Sequence, residues 1–211
     1  MKILQKAFNN HIVNKIVDLG HKPAPKPENE EARLNDLENL KIIEENISKS
    51  KRFSSFPQLA ATLTECDKAA INIVDETSQH CKVNFGMDAM ENMMTKEIPR
   101  ELSVCAHVLN NDSGSLVIND LTKDDRTKHV FELNNPIINN TFPRFYAGSP
   151  IITSNGYILG SFCVFNSKPK SLDSSKVEGL RMLADQFIDL YESTRSDYQR
   201  GSENTNPGQE K

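Results

Sequence analysis

The sequence has no tryptophan and only four cysteines in 211 residues. Cys66, Cys81, Cys105 and Cys163 form no C-x-x-C pair and adjoin no pair of histidines. Structural zinc and a disulfide framework both need tighter spacing, so the thiols read as small buried hydrophobes in a reducing compartment. No apolar run approaches the roughly 18 residues needed to span a bilayer. No basic block stands out: 25 basic and 29 acidic residues give a net charge of −4, which argues against nucleic-acid binding by phosphate neutralisation. The first residues, M-K-I-L-Q-K-A-F-N-N-H, lack the apolar core and small-residue cleavage site of a signal peptide. These absences lead to the expectation of a soluble cytoplasmic protein: one ordinary domain plus extra segments.

What is present is organised around residues 144–166, R-F-Y-A-G-S-P-I-I-T-S-N-G-Y-I-L-G-S-F-C-V-F-N. Two apolar arms flank Ser154-Asn155-Gly156, and Asn-Gly reaches the positive φ that short hairpin turns require. Gly148 and Gly160 lie inside the arms, where a glycine marks a bulge or a close approach to the backbone. The hairpin reads as the centre of a half-buried sheet with one face reserved for a pocket.

Upstream, residues 3–19 suggest a helix with Ile3, Ala7, Phe8, Ile12, Ile16 and Leu19 on one side. H-K-P-A-P-K-P over 21–27 is a stiff linker. A helix is expected over 28–49, where Leu34, Leu37, Leu40, Ile43 and Ile47 trace a narrow apolar stripe of the kind that meets another helix, in the same subunit or across a dimer. Phe53 to Leu63 reads as a third helix. Strands are expected over 68–75 and 79–85, joined by a turn at Asp75-Glu76-Thr77-Ser78. The methionines Met87, Met90, Met93 and Met94 could line an adaptable surface, but their helical spacing favours core packing. A helix over 100–109, a strand over 115–118 and a long polar excursion over 119–140 follow; so long a connection is functional or carries short helices of its own. The last helix starts after Lys168-Pro169-Lys170, with Ser175-x-x-Glu178 as a capping box or Ser171 capping a turn earlier. From Ser196 the polar composition suggests a disordered tail.

This order of elements, with Ile73-Val74-Asp75-Glu76, Ser103-Val104-Cys105-Ala106-His107 and Leu116-Val117-Ile118-Asn119-Asp120, resembles the GAF domain over about residues 53–191. The most specific match is Arg144-Phe145-Tyr146-Ala147-Gly148-Ser149-Pro150, then Gly156, Leu159-Gly160-Ser161-Phe162-Cys163-Val164 and Lys168-Pro169. It is similar to the "RFYAGxPL…LGxxCVxDxxPR" run of bacterial sensor-type GAF domains. The resemblance implies an α+β, PAS-like fold: a central antiparallel sheet of five to six strands, N- and C-terminal helices on one face, and a ligand pocket on the other. It divides the chain into an N-terminal helix and linker (1–27), the domain with its dimerisation helix (28–195) and the tail (196–211). It also implies a homodimer through helices 28–49 and 171–195, with a small-molecule ligand and a signalling partner. The chain departs from its relatives at His80-Cys81, where an aromatic pair is usual, and at Asn166, where an acid is usual.

Pocket candidates are Cys105, Asp120, Arg144, Tyr146, Ser149 and Ser161; no catalytic or metal-binding residue is assigned, and the cofactor is left unknown. Cys105 and His107 are two positions apart, which on a helix projects them about 200° apart, poorly placed as nucleophile and base. Cys105 is then expected to pack inward. Asp120, Asp124 and Asp125 interleave with Lys123, Arg126 and Lys128, as in a solvated mixed-charge loop. The fork of Arg144 suits pairing with an acid such as Asp120, or with an anionic ligand. Some GAF domains attach a bilin through a cysteine, but the aspartate motif that accompanies it is not recognisable here. The functional expectation is a stand-alone, non-enzymatic sensory module. The alternative, a thiol-dependent reductase of the free methionine-(R)-sulfoxide reductase type, needs a nucleophilic cysteine near residues 140–146, and N-T-F-P-R-F-Y supplies none.

Overall fold

A computed structural model describes residues 11–111, 114–136 and 141–203, with side chains to residue 196. Six strands form one antiparallel sheet: β1 (Lys68–Val74), β2 (Ser78–Phe85), β3 (Glu97–Pro99), β4 (Leu116–Ile118), β5 (Phe145–Ile152) and β6 (Ile158–Asn166). Their order across the sheet is β3-β2-β1-β6-β5-β4. The hairpin β5–β6 is therefore central, as its apolar arms require. Its turn closes with Gly156 N–H donating to the Thr153 carbonyl at 2.9 Å, and Gly156 has φ +84°. Both arm glycines are places of close approach: a Cβ on Gly160 would stand 2.0 Å from the Asn72 carbonyl oxygen, and one on Gly148 2.2 Å from the Tyr146 hydroxyl.

The helices are α1 (residues 11–18), α2 (Glu30–Leu40), α3 (Lys51–Thr64), α4 (Ala89–Thr95), α5 (Lys128–Glu132) and α6 (Ser174–Glu203). Alternation along the strands sorts two cores. Ile71, Phe145, Ala147, Phe162 and Val164 face Phe53 and Ala60 of α3 and Leu180, Phe187 and Tyr191 of α6. Ala70, Val74, Tyr146 and Cys163 face the other way, against Cys105, Val108 and Leu109. Stacked helices on one side and short segments on the other make this an α+β fold with an asymmetric sheet.

Several sequence expectations need correction. The helix expected over 28–49 stops at Leu40, because Lys41 turns into the left-handed region at φ +51°; a 3₁₀ turn, Ile47–Lys49, follows. The break rotates Ile42 into the core in place of Ile43. The apolar stripe packs on the domain's own core, Leu37 and Ile47 fully and Leu34, Leu40 and Ile43 in part. Residues 100–109 form two 3₁₀ turns, Arg100–Leu102 and Cys105–Asn110, rather than an α-helix. Neither proposed serine caps α6; Asp173 does, accepting from Lys176 N–H at 2.9 Å. The backbone of α6 runs on to Glu203, past the point where a tail was expected. Ile12 and Ile16 of α1 are buried as expected while Leu19 is exposed, and Ile3, Ala7 and Phe8 fall outside the described residues.

Two polar anchors hold α2 against the sheet. The Arg33 side chain is 1% exposed, donates from Nη1 to the Val74 carbonyl at 2.7 Å and pairs with Glu30; Arg100 pairs with the same carboxylate and donates to the Asp75 carbonyl at 2.8 Å. Burial pushes the Glu30 carboxyl up, but hydrogen bonds and charge from Arg33 and Arg100 outweigh it and hold it below its ordinary value. Asp36 in turn accepts from Thr153 Oγ1 and Asn155 Nδ2, both at 2.7 Å, pinning the hairpin turn.

Candidate functional site

The sheet face opposite the helical layer carries a cavity of about 330 Å³. Asn72 of β1, Gln79 of β2 and Phe165 of β6 border it on the sheet side. Met87, Met94 and Ile98 from α4 and its flanks, Leu102, Val130 of α5 and Phe142 supply mainly apolar walls. α4 is held in place by a reciprocal cap: Asp88 accepts from Glu91 N–H at 2.9 Å and Glu91 accepts from Asp88 N–H at 3.0 Å. The other Glu91 oxygen pairs with Lys68 of β1. The four methionines expected to pack as core divide, and of them Met87 packs in part against the second core. Met87 and Met94 border the cavity, and Met90 and Met93 are exposed.

Beside the cavity lies a sealed polar cluster. Tyr146 lies over Gly148 and its hydroxyl meets Ser161 Oγ at 2.9 Å and Cys105 Sγ at 3.4 Å. Asn72 Nδ2 donates to Cys105 Sγ at 3.4 Å and Cys163 Sγ at 3.3 Å, and the two sulfurs are 3.9 Å apart. Burial pushes the Cys105 thiol up, but the hydrogen bonds converging on its sulfur outweigh it and bring it below its ordinary value. Burial keeps Cys163 and Tyr146 well above theirs. Cys81 is likewise pushed up to about 11, and Cys66 is raised for the same reason. All four cysteines are free thiols.

The six residues singled out from the sequence separate into three places. Cys105, Tyr146 and Ser161 meet in the sealed cluster, and none borders the cavity. Arg144 borders the cavity and pairs with Asp120 at 3.2 Å, the partner its position before the strand suggested. Burial pushes the Asp120 carboxyl up, but hydrogen bonds from Thr122 and Arg144 hold it below its ordinary value. Ser149 points to the helical side, where its hydroxyl meets Ser115 Oγ at 2.6 Å. Cys105 packs inward as expected, while His107 lies near Arg126, His21 and Asp124. In the 119–140 excursion Asp124 pairs with Arg126 at 2.6 Å and Asp125 with Lys128, and the excursion carries the short helix α5.

Sequence reasoning missed Asn72, Gln79 and the Lys68–Glu91 pair. Asn72 had a signal: it is the one polar residue in the apolar run A-A-I-N-I-V, at a position whose neighbours are buried. Such a residue must find partners in the interior, which marks it as part of a built cluster.

A central antiparallel sheet with a helical layer behind it and a cavity in front is the PAS-like fold. The sequence model of the GAF domain matches residues 51–188, well over half of the chain, and the chain belongs to this family. It is 30% identical over 148 residues to a cyclic di-GMP phosphodiesterase of Pseudomonas aeruginosa, covering 69% of this chain and 23% of that protein. The chain thus spans about a quarter of the length of that relative. Among solved structures it resembles the blue-light-absorbing form of the PixJ GAF domain of Thermosynechococcus elongatus, at 14% identity and TM-score 0.56, covering 82% of this chain and 94% of that one. It also resembles the type II free methionine-R-sulfoxide reductase of Thermoplasma acidophilum, at 11% identity and TM-score 0.52, covering 67% and 91% respectively. At such identities these likenesses speak for the fold alone. No helix among the described residues is long and apolar enough to cross a membrane.

Proposed function

We propose that this chain is a sensory GAF module that binds a small molecule in the cavity and signals through a dimer or a partner protein. The cavity carries this reading: its volume, about 330 Å³, and its mostly apolar walls with a few polar groups match the usual character of small-ligand sites. The 30% identity over 148 residues to a protein named as a cyclic di-GMP phosphodiesterase supports the same class. The apolar outer surface formed by Leu59 and Leu63 of α3 and Met182 of α6 supports association with a second copy through the helical layer. Native mass spectrometry of protein taken directly from cells is the test. The expected spectrum carries an additional non-covalent mass that denaturation removes; a bare chain with no thermal response to a nucleotide and metabolite panel would sink the proposal.

A second reading has one observation in its favour, the 3.9 Å approach of the Cys105 and Cys163 sulfurs. A thiol reductase would need one of them to meet substrate, yet Cys105 is 2% and Cys163 0% exposed and neither borders the cavity. Incubation with free methionine sulfoxide and dithiothreitol is expected to give no turnover. Turnover that disappears in Cys105→Ser would replace the sensory reading with the enzymatic one.

A further inference from the structure

We infer that the cavity takes an uncharged, largely apolar ring compound that donates one hydrogen bond, from an N–H or O–H, to Oδ1 of Asn72. The inference rests on reading the cavity as a ligand site and adds the chemistry of what enters it.

Asn72 is 2% exposed, sits in the middle of β1 and borders the cavity. Its amide nitrogen is already committed to the two sulfurs. Those sulfurs are able to accept, because the Cys163 thiol donates to the Ala70 carbonyl at 3.4 Å and Cys105 Sγ already accepts from the Tyr146 hydroxyl. The direction of the amide is therefore set by the cluster behind it. Among the described residues no group donates to Oδ1, which is left as a buried acceptor. A fold tolerates such a group poorly, and a ligand donor that satisfies it gains what the protein lacks.

Charge decides the rest. The charged side chains bordering the cavity among the described residues are Lys68, Glu91 and Arg144. Lys68 and Glu91 pair with each other, and Arg144 pairs with Asp120. An anionic ligand would have to break one of these pairs or go without a counter-charge, and burying an unpaired charge is costly. The apolar walls from Ile98, Leu102, Val130 and Phe142 gain by contact with a neutral ring system instead.

The test compares matched probes by calorimetry and thermal shift: indole with 1-methylindole, and 2-naphthol with 2-methoxynaphthalene, against cyclic AMP and cyclic GMP. Indole and 2-naphthol are expected to bind and raise the melting temperature. Each methylated analogue, which cannot donate, is expected to bind about tenfold more weakly or worse. In Asn72→Leu that ratio falls to about one; the pairwise comparison on the unaltered protein stands even if this variant does not fold. Ile98→Trp, which fills the cavity from its wall, abolishes binding of both parent compounds. Equal binding of a parent and its methylated analogue overturns the inference. So does tighter binding of either cyclic nucleotide, while leaving the cavity a ligand site. If no probe and no nucleotide binds, and no member of a broad metabolite panel shifts the melting temperature, the ligand-site reading falls as well.

Discussion

Single residues carry much of the specificity of this domain. Gly148 is a glycine because a Cβ there would meet the Tyr146 hydroxyl at 2.2 Å and Ser161 Oγ at 2.4 Å, in a fully buried cluster with little room to yield. Gly148→Ala is expected to lose about 2 kcal/mol by urea unfolding through overpacking; an unchanged midpoint would mean that the cluster is looser than its contacts indicate. His107 offers a test in pH. Burial, and then the positive charges of Arg126 and His21, lower its pKa from 6.5 to about 4, against a smaller opposing pull from Asp124. Between those values the unfolded chain binds more protons than the folded one, so stability from neutral His107 is complete above about pH 6.5 and falls as pH drops towards 4. The loss is at most about 3 kcal/mol, and His107→Gln should flatten the stability profile over this window. Asp75 acts in a lower one. Burial pushes its carboxyl up, but hydrogen bonds from His80, Thr77 and Ser78 bring it from 3.8 to about 2, so its contribution is lost only as pH falls through that range. At this scale the sequence was informative where one residue type has one use. The arm glycines announced close packing and Arg144 announced a nearby acid. Asn72 and Gln79 were not recognised, because a polar residue acquires its role from partners far along the chain, Cys105 and Ser103 among them.

Among the elements, the β5–β6 hairpin was the most legible. Its alternation, its Asn-Gly turn and its family signature all agree, and its strands pair from Phe145 with Asn166 to Ile152 with Ile158. α2 was the least legible. Its apolar spacing continued past Leu40, but the chain turns at Lys41, and the terminal helix then seals the end: Tyr191 Oη donates to the Leu40 carbonyl at 2.9 Å. Arg33 lies outside the apolar stripe, yet the tertiary fold buries it against β1. Arg33→Ala leaves Glu30 with one fewer cation and the Val74 carbonyl without its donor. It is expected to cost about 3 kcal/mol and to increase amide exchange over α2 and the end of β1. A loss below about 1 kcal/mol would reduce the anchor to an incidental contact.

For the whole molecule, the sheet separates two tasks. Its helical side holds the larger core and presents Leu59, Leu63 and Met182 outward, and its other side holds the thiol cluster and the cavity. Sedimentation should therefore detect a dimer that the pair Leu59→Lys and Met182→Lys converts to monomer without loss of folding; a monomeric parent protein would redirect attention to a heterologous partner. The fold and this division of faces could be read from strand alternation and from the family run. The cavity lining could not, since it is assembled from α1, β1, β2, β3, α4, α5, β6 and the approach to β5, segments that share no local pattern. The central claim is that this cavity is a ligand site, and a thermal-shift screen of the unaltered protein beside Ile98→Trp tests it most directly. The account predicts at least one metabolite that raises the melting temperature of the unaltered protein and leaves that of the filled variant where it was. A screen in which no compound acts, or in which every active compound shifts both proteins alike, would contradict it.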